Sequence, residues 1–152
     1  MKKKKIVNSS EHNEPVCLSN VGAFADGEFS VDAENGIFKS GAIITKGPAL
    51  GHGFVIDDKT LEQVKKSVNK GKLGIKSRLT HPEGGGFFGC STDAIEVMVG
   101  RAKNARIEGD KVKGDIHLGR YSKVSPRGNL WEFLTTLASD DPEAAGLSIS
   151  FF

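Results

Sequence analysis

Apolar runs in this chain are short and are cut by glycine. Residues 21–24, 29–31, 36–38 and 42–44 are each too brief for a helix, and each is bounded by turn-forming residues. Nineteen glycines are more than average usage would give. Their placement at the edges of these runs favours many short strands over a helical bundle. The triplet Glu34-Asn35-Gly36 is a turn between two of the strands. At 152 residues the chain is long enough for a core and amounts to about one domain.

Two segments break the strand pattern. Asp57 or Asp58 caps a helix in which Leu61, Val64 and Val68 recur at helical spacing, with Gly71 past its end. Ser125-Pro126 opens a second helix with an apolar stripe of Leu130, Phe133, Leu134 and Leu137, bordered by Trp131. Between the two, residues 73–79 form a strand that delivers Thr80-His81-Pro82, and glycines 84 to 86 open a loop carrying Cys90. A hairpin follows, with arms 95–107 and 111–118 and a turn at Glu108-Gly109-Asp110. In its second arm Val112, Ile116 and Leu118 share one face, and Lys111, Lys113, Asp115 and His117 the other. The expected architecture is α+β: an antiparallel, barrel-like sheet of short strands with about two flanking helices.

Residues 1–15 are polar and charged, with Lys2 to Lys5 in a row, and form a flexible basic arm ahead of a domain spanning 16–152. Without that arm the net charge of +2 falls to about neutral, so nucleic acid is not implied as a partner. No apolar run approaches the ~18 residues of a membrane helix, and the lysines lead into Asn8-Ser9-Ser10 rather than a signal peptide's apolar core. Cys17 and Cys90 show no framework spacing and read as free thiols in a reducing compartment. Cys90 with His81 does not make a zinc site, which needs about four ligands; no metal or cofactor is expected.

The last segment carries the most chemistry. Alternation puts Leu147, Ile149 and Phe151 on one face and Ser148 and Ser150 on the other, after Gly146. A serine on the polar face of a strand is ordinarily a solvated residue, and His81 alone, or His52 between two glycines, reads as a loop histidine. The order of the features is more specific than any one of them. It runs Thr80-His81-Pro82, Val99-Gly100-Arg101, Gly114-Asp115-Ile116-His117-Leu118, Ser125-Pro126-Arg127-Gly128, a helix, Asp141-Pro142-Glu143, and Gly146-Leu147-Ser148-Ile149-Ser150-Phe151.

This order resembles the prohead (head-maturation) proteases of tailed bacteriophages, which are similar in fold to the herpesvirus assemblins. The likeness covers residues 36–152. It implies a serine endopeptidase with His81 as general base and Ser148 as nucleophile, acting in the host cytoplasm within the assembling prohead. The implied substrates are the major capsid or scaffold protein and the enzyme itself, and the enzyme is a candidate homo-oligomer. Ser150 departs from the glycine common there, which leaves Ser150 as the other candidate nucleophile.

The chemistry suits these residue types. A serine hydroxyl needs a base within hydrogen-bond reach, and a histidine can take that proton and return it to the leaving amine. Arg101 and Arg127 are candidate oxyanion donors. The resemblance places the third triad member after the nucleophile strand, beyond Phe152, so the domain is expected to be truncated there and inactive as such a fragment. Otherwise Asp93, Glu96, Asp115 or His117 would have to stand in. The rival expectations are a non-catalytic capsid-assembly or scaffold domain with the same fold, and a phage structural β-barrel in which His81 and Ser148 lie far apart.

Overall fold

A computed structural model describes residues 16–20, 24, 27–49, 53–79, 93–144 and 146–151. In chain order the strands are β1 (Val16–Asn20), β2 (Ser30–Asp32), β3 (Ile37–Thr45), β4 (Gly47–Pro48), β5 (Val55–Ile56), β6 (Ile75–Arg78), β7 (Met98–Glu108), β8 (Lys111–Leu118) and β9 (Leu147–Phe151). The helices are α1 (Asp58–Asn69), a single turn α2 (Asp93–Glu96) and α3 (Leu130–Asp140), with short 3₁₀ segments at Arg120–Val124 and Pro142–Ala144.

Five strands form one antiparallel sheet in the order β2-β3-β8-β7-β6. Two pairs stand beside it, β1 with β9 and β4 with β5. The architecture is therefore α+β as expected, with two substantial helices. Among the described residues the sheet is open and does not close into a barrel, with β2 and β6 at its edges.

One face of the sheet makes the core. Phe38, Val112, Ile116, Leu118 and Ala102 are buried there, and Leu61, Val64 and Val68 of α1 complete the cluster. The cap of α1 is Asp57, whose carboxylate accepts from Thr60 N at 2.8 Å. Asn69 ties the far end of α1 to β7, donating to Ala105 O at 2.7 Å and accepting from Ala105 N at 2.9 Å. Gly100 is where β7 and β8 approach too closely for a side chain: a Cβ there would lie 2.0 Å from His117 O.

Several boundaries differ from expectation. Gly36 stays in the turn, and residues 37–38 and 42–44 belong to one strand, β3, because bulges let the chain stay on the ladder past Ser40. The first hairpin arm starts at Met98, since residues 93–96 turn once as α2. The second helix starts at Leu130 under an Asn129 cap. Residues 125–128 form a turn closed by Gly128 N to Ser125 O at 2.9 Å, with Gly128 at φ +107°.

The stripe of α3 is also rotated. Leu130, Thr135 and Ala138 are its buried residues, while Phe133 is 54% exposed. Trp131 sets this rotation by lying against Gly36, where a Cβ would fall 2.4 Å from its ring, and by donating Nε1–H to Ala33 O at 3.1 Å. Thr135 tolerates burial because its hydroxyl donates to Trp131 O at 2.8 Å.

Candidate active site

The strand expected to bear the nucleophile exists. β9 pairs antiparallel with β1, setting Ser148 opposite Ser19 and Ser150 opposite Cys17. Leu147 packs inward, where a Cβ on Gly41 would lie 3.2 Å from Leu147 Cδ1 and 3.3 Å from Phe24 Cε1. Gly41 pairs with Gly114, which lies between Val112 and Ile116 on β8, so β9 approaches the sheet from its core face. The side chains of Ser148 and Ser150 lie outside the described residues, as do His81, His52, Cys90 and the arm 1–15.

The approach to His81 is described as far as Leu79. β6 pairs with β7 through Ile75↔Ala102, Lys76↔Arg101, Ser77↔Gly100 and Arg78↔Met98, and Leu79 N donates to Val97 O at 2.8 Å. The backbone is thus held two residues before His81. Met98 to Leu118, between the two candidate catalytic positions, forms the longest hairpin of the sheet.

The residues weighed as stand-ins for a third triad member have other positions. Asp115 and His117 lie on the sheet face opposite the core cluster, away from the face that β9 approaches. Asp115 accepts from Ser40 N at 3.0 Å and Asn104 Nδ2 at 3.1 Å, with Arg106 Nη1 at 3.5 Å. Burial alone would raise its pKa, but these hydrogen bonds and the charge of Arg106 hold it below the usual carboxylate range. Ser40 and Asn104 both have positive φ, at 61° and 53°, so Asp115 stabilises two residues at the bulges of β3 and β7.

Burial lowers the pKa of His117, Lys103 lowers it further, and Asp115 opposes both. The ring is therefore neutral at neutral pH, and its Nε2 is buried without a hydrogen-bond partner. Glu96 ends α2 and faces Arg127 Nε at 4.0 Å. Asp93 begins that turn, and its side chain lies outside the described residues.

The candidate oxyanion donors are engaged elsewhere too. Arg101 Nη1 donates to Gly74 O at 3.1 Å, bracing the turn before β6. Arg127 is the partner of Glu96.

A charged network on this second face was missed by sequence reasoning. Lys113, 5% exposed, places Nζ 2.8 Å from Glu28 and 3.2 Å from Glu108. Glu108 accepts in turn from Arg106 Nε at 2.7 Å, and Arg106 also donates to the Ser40 hydroxyl. Alternation placed Lys113 on the face opposite Val112, Ile116 and Leu118 and gave no sign of its burial. Its burial follows from Glu28, which precedes β2 and comes from another part of the chain. Among the described residues no cluster of His, Cys, Asp and Glu could hold a metal ion, and no helix is long and apolar enough to cross a membrane.

A scan against protein-family models, a search of curated proteins and a search of solved structures each returned no match.

Proposed function

We propose that this chain is a serine endopeptidase of the prohead-maturation type, similar in fold to the herpesvirus proteases. Its substrates are capsid or scaffold proteins and the chain itself, and it acts in the host cytoplasm inside the assembling prohead. The ordered set of segments from Thr80-His81-Pro82 to Gly146-Leu147-Ser148 carries this reading. The α+β fold and a described strand at residues 147–151 are consistent with it. In this mechanism His81 takes the proton of the Ser148 hydroxyl as its oxygen attacks the scissile carbonyl. The protonated His81 then donates to the leaving amine, and water attacks the resulting acyl-enzyme with His81 again as base.

A second reading, a non-catalytic capsid-assembly domain of the same fold, draws support from Asp115. That carboxylate is committed to the bulges of β3 and β7 and is not available to orient a catalytic histidine. Labelling with a fluorophosphonate probe, followed by peptide mapping, separates the two. The protease reading expects label on Ser148, lost in Ser148→Ala and His81→Ala but kept in Ser150→Ala. No label on the folded chain or on a folded version that carries the strand expected to follow β9, or equal labelling in Ser148→Ala, would sink the assignment.

A further inference from the structure

The sequence from Gln63 to Pro82 carries six cations, Lys65, Lys66, Lys70, Lys72, Lys76 and Arg78, and no aspartate or glutamate, in a chain whose net charge is only +2. Its described part runs from the second half of α1 through a turn into β6. Lys65 is paired with Glu62 at 3.0 Å. Among the described residues the other five make no ion pair. Lys76 and Arg78 are exposed and alternate along β6 with the half-buried Ile75 and Ser77. Arg101 stands directly across from Lys76 on the same face. Lys103 follows it there, with its side chain so close to Gly74 that a Cβ on Gly74 would lie 2.7 Å from Lys103 Cγ.

β6 is also an edge of the sheet, and among the described residues no strand pairs with its outer side. Leu79 N donates to Val97 O at 2.8 Å. Alternation therefore turns the backbone N–H and C=O groups of Ile75 and Ser77 toward β7, and those of Lys76 and Arg78 outward. Cations on an edge strand deter pairing with another basic edge, but they favour a strand of opposite charge. The edge also selects between classes of polyanion. A polypeptide offers both donors and acceptors to the outward groups of Lys76 and Arg78, whereas the phosphates of a nucleic acid only accept. Residues 75–79 contain no aromatic ring on which a base could stack.

We propose that the outer edge of β6 receives an extended acidic segment of a partner protein, added antiparallel as a further strand of the sheet. Its carboxylates lie opposite Lys76 and Arg78. The residues between them are apolar and cover Ile75 and Leu79, the latter 36% exposed. Backbone pairing holds the segment, and charge selects it. This inference does not depend on the protease reading.

The test uses the full chain, ¹⁵N-labelled, with a short blocked peptide of alternating glutamate and valine as probe. At saturating peptide, amide hydrogen exchange at Lys76 and Arg78 should slow about tenfold. Lys76→Glu with Arg78→Glu, both at exposed positions, should weaken binding about tenfold with circular dichroism unchanged. In an antiparallel addition the residues opposite Lys76 and Arg78 turn their own N–H groups toward β6. Methylating the glutamate amides of the peptide should therefore abolish binding, and methylating the valine amides should not. These peptide variants leave the protein untouched, so their outcome does not depend on how a substituted chain folds. Absence of binding, exchange protection elsewhere than at Lys76 and Arg78, undiminished binding in the double variant, or indifference to glutamate methylation would each overturn the proposal. Tighter binding of a single-stranded oligonucleotide to the same residues would overturn it too, making the surface a nucleic-acid site.

Discussion

Replacing Asp115 with alanine separates the bulge-supporting role of this residue from a role as spare catalytic acid. The carboxylate accepts from Ser40 N, from Asn104 and, more loosely, from Arg106. A hydrogen bond to a charged acceptor contributes about 1.5–3 kcal/mol. The Asn104 amide and the Arg106 guanidinium can turn to water, the latter being 38% exposed, so their share is under about 1 kcal/mol. The Ser40 N–H is part of a strained backbone at φ 61° and is left without its acceptor. Together these give a cost of about 2–3 kcal/mol at pH 7, or about 1 M in urea midpoint at an ordinary slope.

The pH dependence has a definite sign. The folded pKa of Asp115 is lowered from 3.8, so its contribution is complete above the unfolded value and is lost as pH falls through the folded one. Other carboxylates held low and remote from this network, such as Asp32 and Asp57, titrate in both proteins and cancel in the difference. Urea unfolding of the chain and of Asp115→Ala, from pH 7 down to the lowest pH at which both fold, should show the gap narrowing below about pH 4. A cost under about 0.5 kcal/mol at pH 7, or a gap that does not change with pH, would refute the argument.

Two further outcomes test the packing. Leu61→Ala empties the centre of the α1 face, where Leu61 is 1% exposed, and should cost about 2–5 kcal/mol by urea unfolding. A loss under about 1 kcal/mol would mean that α1 does not pack as described. Gly36→Ala places a methyl group in the Trp131 ring and forces alanine to φ 64°; it should lower stability by about 2 kcal/mol and shift Trp131 emission to the red as the indole is lifted from the turn. Unchanged emission would count against the Trp131–Gly36 contact.

What could be read from sequence depended on how local the governing interactions are. α1 was legible because its cap, its stripe and its C-terminal glycine lie within one short segment. The β7–β8 hairpin was legible for the same reason, with its turn and alternation adjacent in the chain. The start of α3 was not, because Ser125-Pro126 carries the marks of a helix opening while the Ser125 hydroxyl instead donates to Glu96 O on another element. The rotation of α3 depends on Gly36 and Ala33, far away in the chain, and no periodicity within the helix reports it. The bulge that runs 37–45 together as β3 was hidden as well, since Ser40 carries no mark of the positive φ that a glycine would have given. Of the candidate site, the strand carrying Ser148 was legible from its alternation, and its pairing with β1 was not.

That pairing has a consequence for timing. The strand that presents Ser148 takes its register from Val16–Asn20, so the two halves of the ribbon are made at well-separated moments of synthesis. Ladders between distant segments close late, after the hairpin and helices between them have formed. A ribosome-bound chain would therefore hold β1 unpaired while the sheet and α1 were already in place. Whatever depends on the position of Ser148 thus waits until β9 has been made and has docked on β1.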